Sequence, residues 1–125
     1  MKVDKYDRQI RLWGSNGQRR LGQATVALVG CTGSGIEALK NLVLPGIGKI
    51  HIWDETMIAV EDLSQSFFYE FDSIGKPKAE EACRNLVEMN PDVEGKFFVK
   101  GLKDFLDEGV NQQKYDLVLF GDLTT

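Results

Sequence analysis

Residues 25–35, Thr-Val-Ala-Leu-Val-Gly-Cys-Thr-Gly-Ser-Gly, carry an apolar run straight into a turn with three glycines. Asp54 follows about 20 residues on, closing a second apolar stretch. A continuous apolar run such as Ala24 to Val29 fits a parallel strand covered on both faces, and Ile36, Leu39 and Val43 recur at helical spacing behind the glycines. Strand, glycine turn and helix in that order make the layout of a nucleotide site. Gly30, Gly33 and Gly35 let the backbone turn tightly and bring amide N–H groups toward a phosphate at a helix N-terminus, while Asp54 accepts from ribose hydroxyls. A glycine triplet also serves simply to pack a helix onto a sheet, so the triplet by itself leaves binding and packing both open.

The rest of the chain alternates strand and helix signals. Leu44-Pro45-Gly46 breaks the first helix, and Gly48 to Asp54 reads as a second strand. Glu55 to Gly75 reads as irregular or short-helical, with the aromatics Phe67, Phe68, Tyr69 and Phe71. Pro77 suits the first turn of a helix that runs to about Met89 and stops at Asn90-Pro91. Glu94 to Lys100 reads as a third strand, Leu102 to Asn111 as a short helix, and Tyr115 to Phe120 as a buried fourth strand. Ahead of all these lies a helical stretch from Tyr6 to Leu21, interrupted near Gly14 and Gly17. The alternation predicts an α/β fold, a Rossmann-like, doubly wound and mainly parallel sheet with helices on both faces. Because the chain stops just after the fourth strand, residues 1–125 are expected to be the N-terminal part of one larger domain whose closing half is absent.

Composition narrows the function. A net charge of −4 provides no broad basic field, which argues against nucleic acid as a partner. No apolar run nears the roughly 18 residues of a membrane span. Met1 to Lys5 lacks the apolar region of a secretory signal, so an intracellular place, cytoplasmic or nuclear, is expected. The two cysteines, Cys31 and Cys83, are too few and too scattered for a disulfide framework or a zinc cluster. Cys83 shares a helix face with Ala79, Ala82, Leu86 and Val87 and reads as a small buried hydrophobe, and Cys31 as a spacer within the turn. His51, between Ile50 and Ile52, points to the opposite sheet face from both and reads as a satisfied structural histidine.

Several segments in order resemble the adenylation domain of ubiquitin-like activating enzymes, the ThiF/MoeB-like family. They are Tyr6-Asp7-Arg8-Gln9-Ile10-Arg11-Leu12-Trp13-Gly14, the glycine turn, Lys40 to Gly48, Glu61 to Phe68, and Gly75 to Glu80. Within the family the chain is most similar to the non-catalytic subunits, those of neddylation first because of the long Lys40 to Gly48 match, and those of SUMO activation next. The resemblance implies ATP-dependent adenylation of a modifier's C-terminal glycine, then transfer to a cysteine of the partner subunit. Active members carry an Asn-x-x-Arg-Gln stretch, a lysine before the next helix and a metal aspartate after the fourth strand. On that pattern Asp54 and Lys78 are kept. Gln65 stands in place of the phosphate arginine, and Leu123, with Asp122 one residue away, falls at the metal position. Losing the arginine and the metal ligand together raises the barrier by on the order of several kcal/mol.

The expectation from the resemblance is therefore a silent pocket at Gly30, Gly33, Gly35, Asp54 and Lys78, holding neither cofactor nor metal of its own. ATP and Mg²⁺ sit at the partner's active site, and Arg8 reaches across the heterodimer to the ATP phosphates. Arg11 reads as structural, and Arg19 and Arg20 as a solvated face. The partners implied are a catalytic subunit and a ubiquitin-like modifier, with no nucleic acid and no membrane. Two alternatives stay open: a self-sufficient adenylating enzyme using Gly30 to Gly35, Asp54 and Lys78, and an NAD-dependent dehydrogenase, which shares the glycine turn and ribose acid but not the Arg8 and Lys78 motifs.

Overall fold

A computed structural model describes residues 17–61 and 74–121. The Tyr6–Gly14 motif with Arg8, most of the predicted N-terminal helix, the aromatic segment, Gln65, Asp122 and Leu123 all lie outside the described residues. Four strands, β1 (Thr25–Val29), β2 (Lys49–Trp53), β3 (Glu94–Phe98) and β4 (Leu117–Phe120), pair in parallel in the order β3-β2-β1-β4. Every residue of β1 is buried, which is why its sequence is apolar without alternation. Parallel neighbours need crossovers, and helices supply them. α1 (Gly33–Val43) links β1 to β2, α2 (Lys78–Met89) links β2 to β3, and α3, residues 102–112, links β3 to β4. The chain steps from β1 outward to β3 and then returns to the other side of β1, a reversal that opens a crevice at the carboxyl ends of the strands.

The two faces of the sheet differ in chemistry. On one, Leu28, Ile50 and Ile52 meet Ile36 and Leu39 of α1 and Leu86 of α2, all fully buried. On the other, Val29 and Trp53 pack against Phe105 of α3, with Phe98 and Tyr115 at the margin. Trp53 stacks on Phe98 with centroids 4.1 Å apart, and Phe105 meets Trp53 edge-on at 5.5 Å. The middle of α3, Phe105–Gly109, is wound as a π-helix, so α3 is less regular than the uniform short helix its sequence predicts.

The other differences are local. Asp54 lies one residue beyond β2, and β3 ends at Phe98 rather than Lys100. Pro77 is the N-cap of α2 rather than a residue of its first turn, since it keeps an extended ψ of 134° and also bridges to Met57. β4 is not buried as expected: Leu117 and Phe120 are 45% and 54% exposed, because among the described residues β4 is an edge strand paired only with β1.

Candidate functional site

The strands end in register, Phe98, Trp53, Val29 and Phe120 forming one row across the sheet. The next residue of each strand forms the rim on which a ligand of this fold rests, and two of them are Gly30 and Asp54. Gly30 turns the chain with φ of 95°, a conformation open to glycine and strained for other residues. Its N–H donates to the Trp53 carbonyl at 2.9 Å and its carbonyl accepts from Thr32 N–H at 3.0 Å, so the turn is pinned to β2 and to itself. Gly35 sits beneath it. A Cβ there would stand 3.0 Å from Leu28 Cδ1 and 3.3 Å from the Gly30 carbonyl oxygen, so glycine at this position lets α1 sit close on β1 without crowding.

Thr32 is the N-cap of α1, and its Oγ1 accepts from the Gly35 N–H at 3.2 Å. Gly33 is the first residue of the helix. Asp54 holds the turn from the β2 side: Oδ2 accepts from the Cys31 N–H at 2.7 Å, and Oδ1 accepts from the Thr56 N–H at 2.7 Å and from its hydroxyl. Lys78, at the start of α2, is anchored by its own N–H donating to the Thr56 carbonyl at 3.1 Å. Gly30, Thr32, Asp54, Lys78 and Leu102 line one cleft of about 330 Å³. The structure thus brings Gly30, Asp54 and Lys78 to the cleft, while Gly33 and Gly35 serve the start of α1.

Cys31 is more than a spacer. It is buried in the aliphatic core, and its amide fixes the orientation of Asp54. Burial, followed by the neighbouring Asp54 carboxylate, pushes its thiol far above the usual cysteine range, with Lys78 pulling the other way. Burial also pushes Cys83 up to about 11, in keeping with a small core residue. Both thiols stay protonated at neutral pH and neither is an activated nucleophile. His51 is buried and satisfied, with Nδ1 2.8 Å from the Tyr115 hydroxyl. Burial, then Lys96 and Lys49, hold its pKa below the ordinary value. No group of three His, Cys, Asp or Glu is arranged to hold a metal among the described residues, and no helix there is long and apolar enough to cross a membrane.

Sequence reasoning missed Thr32 and Thr56. Both carry a legible signal: a threonine three residues before an amide of the first helical turn is an N-cap, and Asp-x-Thr after a strand lets the aspartate fold back on the amide two residues on.

The chain matches the ThiF family over residues 6–121. It is 46% identical over 108 residues to the NEDD8-activating enzyme E1 regulatory subunit of Xenopus laevis, covering 86% of this chain and 20% of that protein. It is 43% identical over 123 residues to the protein of that name from Drosophila melanogaster, covering 98% and 24%. The chain therefore spans about a fifth of the length of these relatives. The fold is shared with the E. coli tRNA N6-threonylcarbamoyladenosine dehydratase TcdA, at 22% identity and a TM-score of 0.84 over 95% of this chain and 50% of that one. It is also shared with E. coli MccB solved with ATP, at 26% identity and a TM-score of 0.76 over 91% and 35%. A parallel sheet ordered β3-β2-β1-β4, a glycine turn capping α1 and a family match over nearly the whole length agree: the chain belongs to the ThiF family.

Proposed function

We propose that this chain is a regulatory, catalytically silent subunit of a heterodimeric enzyme that activates NEDD8. Adenylation of the modifier's C-terminus takes place at the catalytic partner's site, where ATP and Mg²⁺ bind. The observation that carries the proposal is the run of relatives bearing the regulatory-subunit name, from Xenopus laevis, Drosophila melanogaster and Arabidopsis thaliana, at 43–46% identity. The chain's own cleft supports it. Thr32 is bonded to Gly35, and Asp54 to Cys31 and Thr56, and these bonds within the turn favour the reading of a cleft without ATP of its own. Gln65, in place of a phosphate-binding arginine, adds to the same side. An intracellular site, cytoplasmic or nuclear, follows from the pathway.

In this proposal the contribution to chemistry comes from Arg8, acting in trans on the ATP phosphates of the partner subunit. A guanidinium fork that grips developing charge is a large electrostatic contribution, and removing one such donor slows reactions roughly 100-fold. Arg8→Ala in the full-length pair is expected to slow ATP–pyrophosphate exchange at least tenfold with the heterodimer intact. Arg8→Lys should recover part of the rate. Unchanged exchange in Arg8→Ala would remove Arg8 from the mechanism.

The second reading is a self-sufficient adenylating enzyme. It is favoured by Gly30, Asp54 and Lys78 sharing one cleft and by the likeness to MccB, a protein solved with ATP. Adenylate formed by the chain without a partner would decide for it.

A further inference from the structure

We propose that Thr32 occupies the phosphate position of the glycine turn and thereby excludes nucleotide from this chain's own cleft. The inference rests on the silent-pocket reading and assigns it to one residue. The nucleotide-binding turn runs Gly-x-Gly-x-x-Gly, and its middle glycine lets the backbone come close to the phosphates. In Gly30-Cys31-Thr32-Gly33-Ser34-Gly35 the first and last glycines are kept, and the middle position is threonine. Thr32 has φ of −89°, a conformation any residue adopts, so the backbone path does not call for glycine there. What the side chain changes is the space and the donors above the turn.

The hydroxyl of Thr32 takes the Gly35 N–H at 3.2 Å, one of the first-turn amides that an anion at a helix N-terminus would engage. Ser34 Oγ lies 3.4 Å from the same hydroxyl, giving Thr32 a second partner within the turn. Asp54 is committed in the same way. Of about four lone-pair positions on a carboxylate, three already accept from Cys31 and Thr56. A phosphate entering the turn would have to displace the Thr32 hydroxyl from Gly35. The turn is thus kept as a corner joining β1, α1 and β2, with the Gly35 N–H held by Thr32 and the Cys31 N–H held by Asp54.

The test is calorimetry of the full-length chain alone, with ATP and inorganic pyrophosphate as probes, comparing wild type, Thr32→Gly, Thr32→Ala and Thr32→Ser. Thr32→Gly is expected to bind both probes at least tenfold more tightly than wild type, Thr32→Ala to gain less, and Thr32→Ser to stay at the wild-type level because it keeps the capping hydroxyl. The Gly35 amide resonance should move on adding pyrophosphate to Thr32→Gly and stay still in wild type. If Thr32→Gly does not fold, the gain in Thr32→Ala carries the comparison. Binding by the folded variants that is no tighter than wild type overturns the plug and leaves the silent pocket standing. Tight, Mg²⁺-dependent ATP binding by wild type overturns both.

Discussion

The helix-covered aliphatic face of the sheet and the rim at its carboxyl end use the same strands for opposite ends. On the face, Leu28, Ile50 and Ile52 gain stability by leaving water, and any residue of similar size and polarity would serve. At the rim the next residues along, Gly30 and Asp54, are held by named hydrogen bonds, to Trp53 on one side and to Cys31 and Thr56 on the other. Here Gly30 is pinned to Trp53 and Asp54 to Cys31 and Thr56, and in the silent-pocket proposal the turn persists as a corner between β1, α1 and β2. Retention of a glycine turn is therefore evidence of fold before it is evidence of binding.

Substitutions separate the two regions by size of effect. The largest loss is expected on the face: Leu39→Ala, at a fully buried site of α1, should destabilise the chain by about 2–5 kcal/mol in chemical denaturation. Next comes the rim, where Asp54→Asn sets an amide against the Cys31 and Thr56 N–H groups and should cost about 1–3 kcal/mol. A loss at Asp54 below a few tenths of a kcal/mol would show that its bonds are incidental, and would reopen it as a ribose acceptor. Thr32→Ala should cost about 1 kcal/mol through the lost cap of α1, measured in the same way.

The smallest effect lies on the aromatic face. His51 is neutral in the folded chain because burial, Lys96 and Lys49 lower its pKa, so the unfolded chain binds its proton more readily. Stability contributed by neutral His51 is fully present above the ordinary value of 6.5 and is lost as pH falls below it toward the lowered folded value. Denaturation midpoints of wild type should fall over that range, and those of His51→Gln should fall less.

Much of this was legible in the sequence. The unbroken apolar run of β1 and the Ile36, Leu39, Val43 spacing gave the strand–turn–helix unit, because burial on both faces and helical periodicity both write themselves into residue order. Asp54 and Lys78, singled out by the ribose-acid and lysine positions, line one cleft, and His51 is a satisfied structural residue. What the sequence hid was contact between distant segments. The Asp54 clamp on Cys31 spans the whole βαβ unit, and the Tyr115 partner of His51 lies 64 residues away. The apolar residues of β4 match those of an interior strand, and its place at the edge among the described residues shows only in the strand order. The π-helical middle of α3, where Phe105 packs edge-on against Trp53, has no local pattern that announces it.

The central claim is that this ThiF-family chain supports adenylation without performing it. It is tested most directly by supplying the full-length chain with ATP, Mg²⁺ and NEDD8, with and without its catalytic partner, and measuring adenylate by pyrophosphate exchange. The account predicts exchange with the pair and none above background with the chain alone. Exchange by the chain alone, abolished by Asp54→Ala, would contradict it and make the cleft at Gly30, Asp54 and Lys78 an active site.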